Sequence, residues 1–486
     1  MIMLQERAFL KAQQQLQAME AFVEQSAEEG QRIDRVEREL FAQLLAIGHT
    51  LLAAFVAAQG NGDGGPELRS SEGRTVRRLK SRHERRYLSI FGELRIERFV
   101  YALREGQKVE RAPLDERLGL PAGEFSYVLE DWLQRLCVKE SFDEAVSSLV
   151  TLLGLAPSQR AAEQMNQQMA QHAEAFRWQH AAPPAEEEAE VLVATADGKG
   201  VPMRRPLEQR VRHAPRRGKG EKANKKQMSY VGAVYSIDRF RRTADDVVNE
   251  MARRARATDR PQPQHKQVWA EMTRMAEGQS CTGRERLFIE MAMACHERDP
   301  QRRKMLVCLM DGEIALWDVK REWLGRAVGI LDLFHVLERL WQAAHCVHRE
   351  GSHEAEQFVE HHLRLLLKGK VGYVIGHLKR LRDEHSLRGP QRSTMTAAIR
   401  YYENNRQHMR YDEYLAAGYP IGSGVAEGAC RHLVKDRMEQ TGMRWTVAGA
   451  QAMLHLRAIY LNGHWEEFVN YRIEAEQTAL HRRSAA

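Results

Sequence analysis

The sequence lacks most of the short motifs that announce a cofactor. It contains no GxxxxGK[ST] loop, so ATP use is not indicated, and no GxSxG elbow or HExxH pair. Its six cysteines, Cys137, Cys281, Cys295, Cys308, Cys346 and Cys430, include no CxxC pair, which signals neither a zinc ribbon nor a disulfide framework. They read instead as small core residues in a reducing compartment. His345, Cys346 and His348 are close in sequence but fit no standard zinc spacing. Apolar runs are short: the best, LLAAFVAA at 51–58, falls well below the roughly 20 residues that span a bilayer. The N-terminus, MIMLQERAFLKAQQQ, is too charged for a signal peptide. A soluble, cytoplasmic protein is expected.

Nor does one sign of charge dominate. Lysine and arginine number 73 against 66 acids, a net charge of +7, so the distribution of charge carries more information than its sum. With 486 residues, 43% of them hydrophobic and 29% charged, the chain has the length and composition of a globular protein of several domains.

Residues 1–60 form the first region and read as helical. Ile33, Val36, Leu40, Leu44, Ile47, Leu51 and Phe55 recur at helical spacing, and this face either packs on its own domain or dimerises. GNGDGGP at 60–66 breaks the pattern. In the second region, 61–112, eight basic residues between Arg69 and Arg86 lead into YLSIFGELRIERFVYAL, a hairpin pattern turning at Phe91-Gly92. Such a segment either follows a phosphate backbone or forms a solvated face. Region 113–180 is helical again. Phe142, Ala145, Val146 and Leu149 share a face, GLAPS turns the chain, and Ser158 is placed to cap the next helix. That is the outline of a helix-turn-helix, shared with plain helical hairpins. An acidic, proline-containing linker closes the N-terminal part, with the boundary at 181–190.

Beyond it, strands alternate with helices. Apolar runs at 190–196, 230–237, 305–310 and 327–334 read as strands, and 244–256, about 285–298 and 313–323 as helices. The pattern predicts an α/β layer with a mixed sheet over 191–335. Residues 336–417 are almost wholly helical in pattern, and 418–486 opens with the loop GYPIGSG before one more helix.

Two strands of the layer run into an acid and a glycine: Asp197 in VLVATADGKG and Asp311 in MLVCLMDG. Strands often end in Asp-Gly turns. If these two are sheet neighbours, however, both carboxylates meet at one edge, a costly arrangement without a cation between them. Hard oxygen donors suit Mg2+ or Mn2+. Glu427, in the first turn of the helix after GYPIGSG, is the third acid, though a glutamate there also suits a helix dipole. Arg431 and Lys435 follow it at four-residue steps. The loop from Lys199 to Lys226 holds eleven basic residues, among them Lys199, Arg204, Arg205, Arg216 and Arg217, against Glu208 and Glu221. Such a bed suits a nucleic-acid backbone. Together these features point to metal-dependent chemistry on a phosphodiester, with two ions about 3.5–4 Å apart. Asp332 and His335, after the last strand, read as a supporting polar pair or an ordinary turn. Trp445 reads as core, with base stacking as the alternative.

The segments VLVATADGKGVPM, VGAVYSIDRFRRTADDVV, MLVCLMDGEIALW, ILDLFHVLERLWQAAH and RYDEYLAAGYPIGSGVAEGACRHLVKDRMEQTGMRWT resemble the ISKra-type insertion-sequence transposases, DDE enzymes related to the Mutator-like superfamily. The resemblance covers roughly 85–475. It implies an α+β multidomain protein whose catalytic core is RNase H-like, with an all-α insertion at 336–417, preceded by helical and β-hairpin DNA-binding regions. It also implies a catalytic, metal-holding triad of Asp197, Asp311 and Glu427, with Asp332 and His335 as the accessory Asp-x-x-His. Many relatives carry CxxC pairs around the basic hairpin; here GDGGPELRS stands in that place, so the module must fold without zinc. The expected activity is strand cleavage at terminal inverted repeats followed by strand transfer into target DNA, with two Mg2+ or Mn2+ ions per active site. Lys199, Arg204, Arg205, Arg216, Arg217, Arg431 and Lys435 would contact the double-stranded DNA. A homodimer or higher oligomer is expected, nucleoid-associated when on DNA and needing neither ATP nor a membrane. The rival expectations are a structure-specific endonuclease without strand transfer and a domesticated, non-catalytic DNA-binding regulator.

Overall fold

In the computed structural model of the chain, residues 2–70, 72–184, 186–204, 226–254, 260–276, 279–440 and 442–480 are described. They form two compact units, Met1–Phe176 with His464–Ala486, and Arg177–Gly463. The architecture is α+β and multidomain.

The first unit opens with two long helices, α1 (Ile2–Glu28) and α2 (Ile33–Ala58), packed on each other. The helical periodicity is present, but Leu44, Leu51 and Phe55 are exposed. Gly48, His49 and Thr50 interrupt the apolar run without interrupting the helix. As a result α2, unlike LLAAFVAA alone, is long and apolar enough to cross a bilayer. A three-stranded antiparallel sheet follows, ordered β1 (Glu67–Arg69), β2 (Thr75–Arg78) and, after a hairpin, β5 (Tyr101–Ala102). The hairpin joins β3 (His83–Ser89) to β4 (Gly92–Arg98) and turns at Ile90-Phe91, one residue before the expected Phe91-Gly92, and it begins inside the basic segment. Six of the eight basic residues there, Arg74, Arg77, Arg78, Arg82, Arg85 and Arg86, each have a carboxylate within ion-pair distance. Most of that positive charge is therefore balanced within the fold. Next come α3 (Pro113–Leu118), α4 (Tyr127–Cys137), α5 (Phe142–Leu153), α6 (Gln159–Ala170) and α7 (Ala173–Gln179). Ser141 and Glu144 cap α5 reciprocally, and the Ser158 hydroxyl accepts the Ala161 N–H at the start of α6.

The second unit is built on one five-stranded sheet. β6 (Val191–Pro202) pairs antiparallel with β7 (Lys226–Ile237), which leads to α8 (Ala244–Met251) and then pairs antiparallel with β8 (Gln264–Met272). A short ribbon, β9 (Arg274–Ala276) and β10 (Gln279–Cys281), precedes α9 (Gly283–Arg298). β11 (Met305–Met310) then lies parallel to β6. After α10 (Ile314–Trp323), β12 (Val328–Leu331) lies parallel to β11. The sheet order is β12-β11-β6-β7-β8. Helices α11 (Leu333–Ala344), α12 (His353–Leu367), α13 (Val371–Glu384), α14 (Gly389–Asn405) and α15 (Tyr411–Ala417) fill the predicted helical stretch. α16 (Gly424–Ala429) passes through a π-helical turn, Cys430–Lys435, into α17 (Asp436–Met438). α18 (Val447–Leu461) then packs on β8.

Strand β8 is the member of the five-stranded sheet that the sequence patterning misses. It is polar for its first four residues, and it carries Glu271 in its buried half. α18 supports it: Gln451 accepts the Met272 N–H (2.8 Å) and donates to the Ala270 carbonyl (3.1 Å), while Asn462 bridges both polar groups of Val268. These side chains satisfy backbone groups on an edge strand that would otherwise be left open. After α18 the chain returns to the first unit with α19 (Trp465–Leu480), where Trp465 donates to Asp131 and Arg472 pairs with Glu130. The stretch 418–486, expected as one segment, is thus divided between the two units.

Candidate functional site

Val191–Ala196 is buried throughout, as a central strand requires. The expected strand end at Asp197 is corrected, because β6 runs through the acid and keeps its pairing with β7 from Asp197↔Val231 to Pro202↔Lys226. Only the parallel partner stops. Ala196↔Met310 is the last pair with β11, so Asp311 leaves its strand level with Asp197 on the neighbouring one. The Asp311 carboxylate accepts the Glu313 N–H (2.9 Å), a local turn that holds it at the strand end. Gly312 between them has no room for a side chain, since a Cβ would lie 2.3 Å from Tyr401 Cε2 and 2.8 Å from Asn405 Nδ2. Gly312→Ala is expected to cost about 1–3 kcal/mol by overpacking; a thermal melt within error of wild type would refute that contact.

Asp332 follows β12 and is fully buried. One of its oxygens caps α11 by accepting the Phe334 N–H (2.9 Å), and the other accepts the Ser423 hydroxyl. The Leu333 N–H also donates to the Ile421 carbonyl (2.9 Å). The loop GYPIGSG is thereby fastened to the end of β12, and the Ser423 carbonyl receives the Glu427 N–H (3.1 Å) at the start of α16. One turn on, the Cys430 thiol donates to Asp197 Oδ2 (3.4 Å), while Asp197 Oδ1 takes the Gly198 N–H (2.6 Å). His335, in the first turn of α11, lines a cavity of about 260 Å3 with Asp311, Glu313, Arg339 and Tyr401.

The electrostatics tie these groups into one cluster. Burial pushes the Asp311 carboxyl above the usual carboxylate range, against its bond from the Glu313 N–H, and the Asp197 charge adds to the rise. Glu313 is raised by burial and then by Asp311. Asp332 is raised by burial, against its hydrogen bond from Ser423. Glu427 is raised by burial, then by the charges of Asp332 and Asp197. His335 opposes the rise at Asp311, Asp332 and Glu427. Burial and the nearby Asp197 hold the Cys430 thiol neutral.

The structure thus brings Asp197, Asp311, Asp332, His335 and Glu427 together at one end of the sheet. It adds Glu313, Ser423 and Cys430, whose sequence signal was only their proximity to the acids in MDGE and GSGVAEGAC. The donor set, carboxylates beside one imidazole, suits a hard divalent cation, and a cation would relieve the mutual repulsion of the acids. Among the described residues no three Asp, Glu, His or Cys side chains form a ready coordination shell. Asp197 would exchange its Gly198 and Cys430 partners for an ion.

Of the predicted DNA contacts, Lys199 lies on β6 just beyond Asp197, partly exposed. The Arg204 N–H donates to the Trp445 carbonyl (2.7 Å). Arg431 and Lys435 are exposed on the π-helical turn, and the ion-pair partner of Arg431 is Asp436 (3.9 Å), not Glu427. Arg205, Arg216 and Arg217 lie outside the described residues. Trp445 is core: its indole donates to the Met438 carbonyl (3.1 Å), and the Arg437 guanidinium lies 5.1 Å from its ring. Cys137, Cys295, Cys308, Cys346 and Cys430 are buried free thiols, and the side chain of Cys281 lies outside the described residues. No protein-family model matches the chain, and no curated protein matches it.

Proposed function

We propose that the chain is a DDE-type DNA transposase that cleaves and joins strands at the terminal inverted repeats of an insertion sequence. The observation that carries this reading is the placement of Asp197 and Asp311, level with each other on adjacent parallel strands, beside Glu427. The order β12-β11-β6-β7-β8, with β6 to β8 antiparallel and β11 and β12 parallel to β6, supports an RNase H-like core.

In this reading Asp197, Asp311 and Glu427 would hold two Mg2+ or Mn2+ ions. When bound, such ions activate the attacking oxygen and steady the leaving one. The protein's own part is positional. Asp332 and Ser423 tie the Glu427 loop to the end of β12, and Gly312 packs against Tyr401 to fix the turn after Asp311. Lys199, Arg204, Arg205, Arg216, Arg217, Arg431 and Lys435 would follow the DNA backbone. Joining two element ends requires two such sites, hence a dimer or larger assembly.

The test is cleavage of a labelled duplex carrying the inverted repeats that flank the coding sequence, with Mg2+, with Mn2+ and with a chelator. Metal-dependent cuts at the repeat boundary, followed by joining to a target plasmid, are expected. Cutting without joining would replace the transposase by an endonuclease. Specific binding without cutting under any metal would make the chain a DNA-binding regulator.

A further inference from the structure

The loop Asp238–Arg242, in the stretch IDRFRR, takes no part in the acidic cluster. It is fastened to the loop that leads into α16. The Phe240 N–H donates to the Gly418 carbonyl (2.9 Å), and Arg239 Nη1 donates to the Ala417 carbonyl (3.0 Å). Gly418 has φ +76°, and a Cβ there would lie 2.9 Å from Phe240 N, so glycine is what lets the two loops meet. Between them and the start of α11 lies a cavity of about 550 Å3 with a chiefly apolar lining. That volume is within the range of roughly 300–1,000 Å3 typical of small-ligand sites.

Four aromatic side chains line the cavity: the buried Tyr235, with Phe240, Phe334 and Tyr419. Phe334 is 39% exposed in the first turn of α11, off the helix face that buries Leu333, Val336 and Leu340. The Arg242 guanidinium lies 5.3 Å from the Phe240 ring, and that of Arg239 lies 5.5 Å from Tyr419. The charged residues of the lining are Arg242, Arg253 and Arg260 against Asp238 and Glu250. Arg242 and Arg260 share the carboxylate of Glu250, at 3.7 and 2.9 Å, and Arg242 Nε is buried with no hydrogen-bond partner among the described residues. Aromatic faces beside surplus guanidinium charge suit a planar ring that carries an anion. The wall toward the acidic site is made by Gly422 and Gly424, which flank Ser423, and by Leu333, next to Asp332.

We propose that this cavity binds one unpaired nucleotide, its base against Phe240 and Phe334 and its phosphate toward Arg242 and Arg260. Resting on the transposase reading, the nucleotide is one adjoining the scissile phosphate and drawn out of the duplex. Aromatic surface offsets the lost stacking, and an unpaired base costs least to take up.

The test uses the full chain and a forked duplex with a short single-stranded end carrying 5-iododeoxyuridine, alongside the same sequence fully paired. Irradiation is expected to cross-link the unpaired base to peptides containing Phe240 or Phe334, with little from the paired probe. Phe240→Ala and Phe334→Ala should each reduce the preference for fork over duplex by about 10-fold, with unchanged thermal melting. Cross-links elsewhere, or equal ones from the paired probe, would overturn the proposal. Displacement of the fork by free dTMP at matched nucleotide concentration would assign the pocket to a free nucleotide and overturn its placement on DNA. Cross-linking without any metal-dependent cleavage would keep the pocket and remove the transposase reading. Cleavage at the wild-type rate in both variants, without the cross-link, would remove the pocket alone.

Discussion

Asp311→Asn is expected to lower metal-dependent cleavage by about 10^4-fold or more, as for members of a catalytic unit that act together. The same change should make the metal-free protein more stable, by on the order of 1 kcal/mol. Both effects follow from one arrangement. Asp311 is raised above the ordinary carboxylate range by burial and by Asp197, so its folded state holds a proton more tightly than its unfolded state does. Stability therefore falls as pH rises through that window, and at neutral pH the charged carboxylate is a cost to the fold. Asparagine removes the charge yet keeps an oxygen to accept the Glu313 N–H. Single-turnover cleavage and thermal melting in chelator measure the two sides. A variant that still cuts would remove Asp311 from the mechanism. A variant that cannot cut but melts lower in chelator would make the carboxylate a structural part of the turn instead.

The second large effect concerns what holds the strands that carry the acids. Arg298 and Glu188 form a bidentate pair, both side chains at most 1% exposed, and Arg298 also donates to the Val234 carbonyl of β7 (3.2 Å). Lys304, just before β11, donates to the carbonyls of Glu188 and Ala189, just before β6 (2.8 and 3.2 Å). The pair thus sits where the two parallel strands begin, and their common start sets Asp197 level with Asp311. Arg298→Met leaves a buried carboxylate without its counter-charge and is expected to cost about 3–5 kcal/mol. Adding Glu188→Gln should recover much of that loss. Hydrogen-exchange protection of the β7 amides reads the change within this unit. Unchanged protection in the single variant would refute the coupling. Burial works against the Glu188 charge, but hydrogen bonds from Arg298 and Ser236 outweigh it and hold its pKa below the usual value. Its contribution is accordingly present above the ordinary glutamate range and lost as pH falls through the lowered folded value.

Local patterning made part of this protein legible. β11 falls at 305–310 as read, and α6 starts at the cap formed by Ser158. The helical run from 336 to 417 was legible too, because burial periodicity and capping are properties of neighbouring residues. The acids Asp197 and Asp311 were visible for the same reason, each following a largely apolar run of residues. Other features depend on partners distant in the chain, which a local pattern cannot name. β8 is stabilised by Gln451 and Asn462 from nearly two hundred residues away. The charge of the basic segment is balanced by Glu93, Glu110, Asp115 and Glu124. The persistence of β6 past Asp197 depends on β7 continuing to supply hydrogen bonds. Ser423 was unremarkable in the sequence and gained its place only when the fold carried Asp332 to it. The sequence determined which acids and bases are available to the candidate site. Tertiary structure decided which of them meet, because strand pairing and ion pairing join groups by distance in space rather than along the chain.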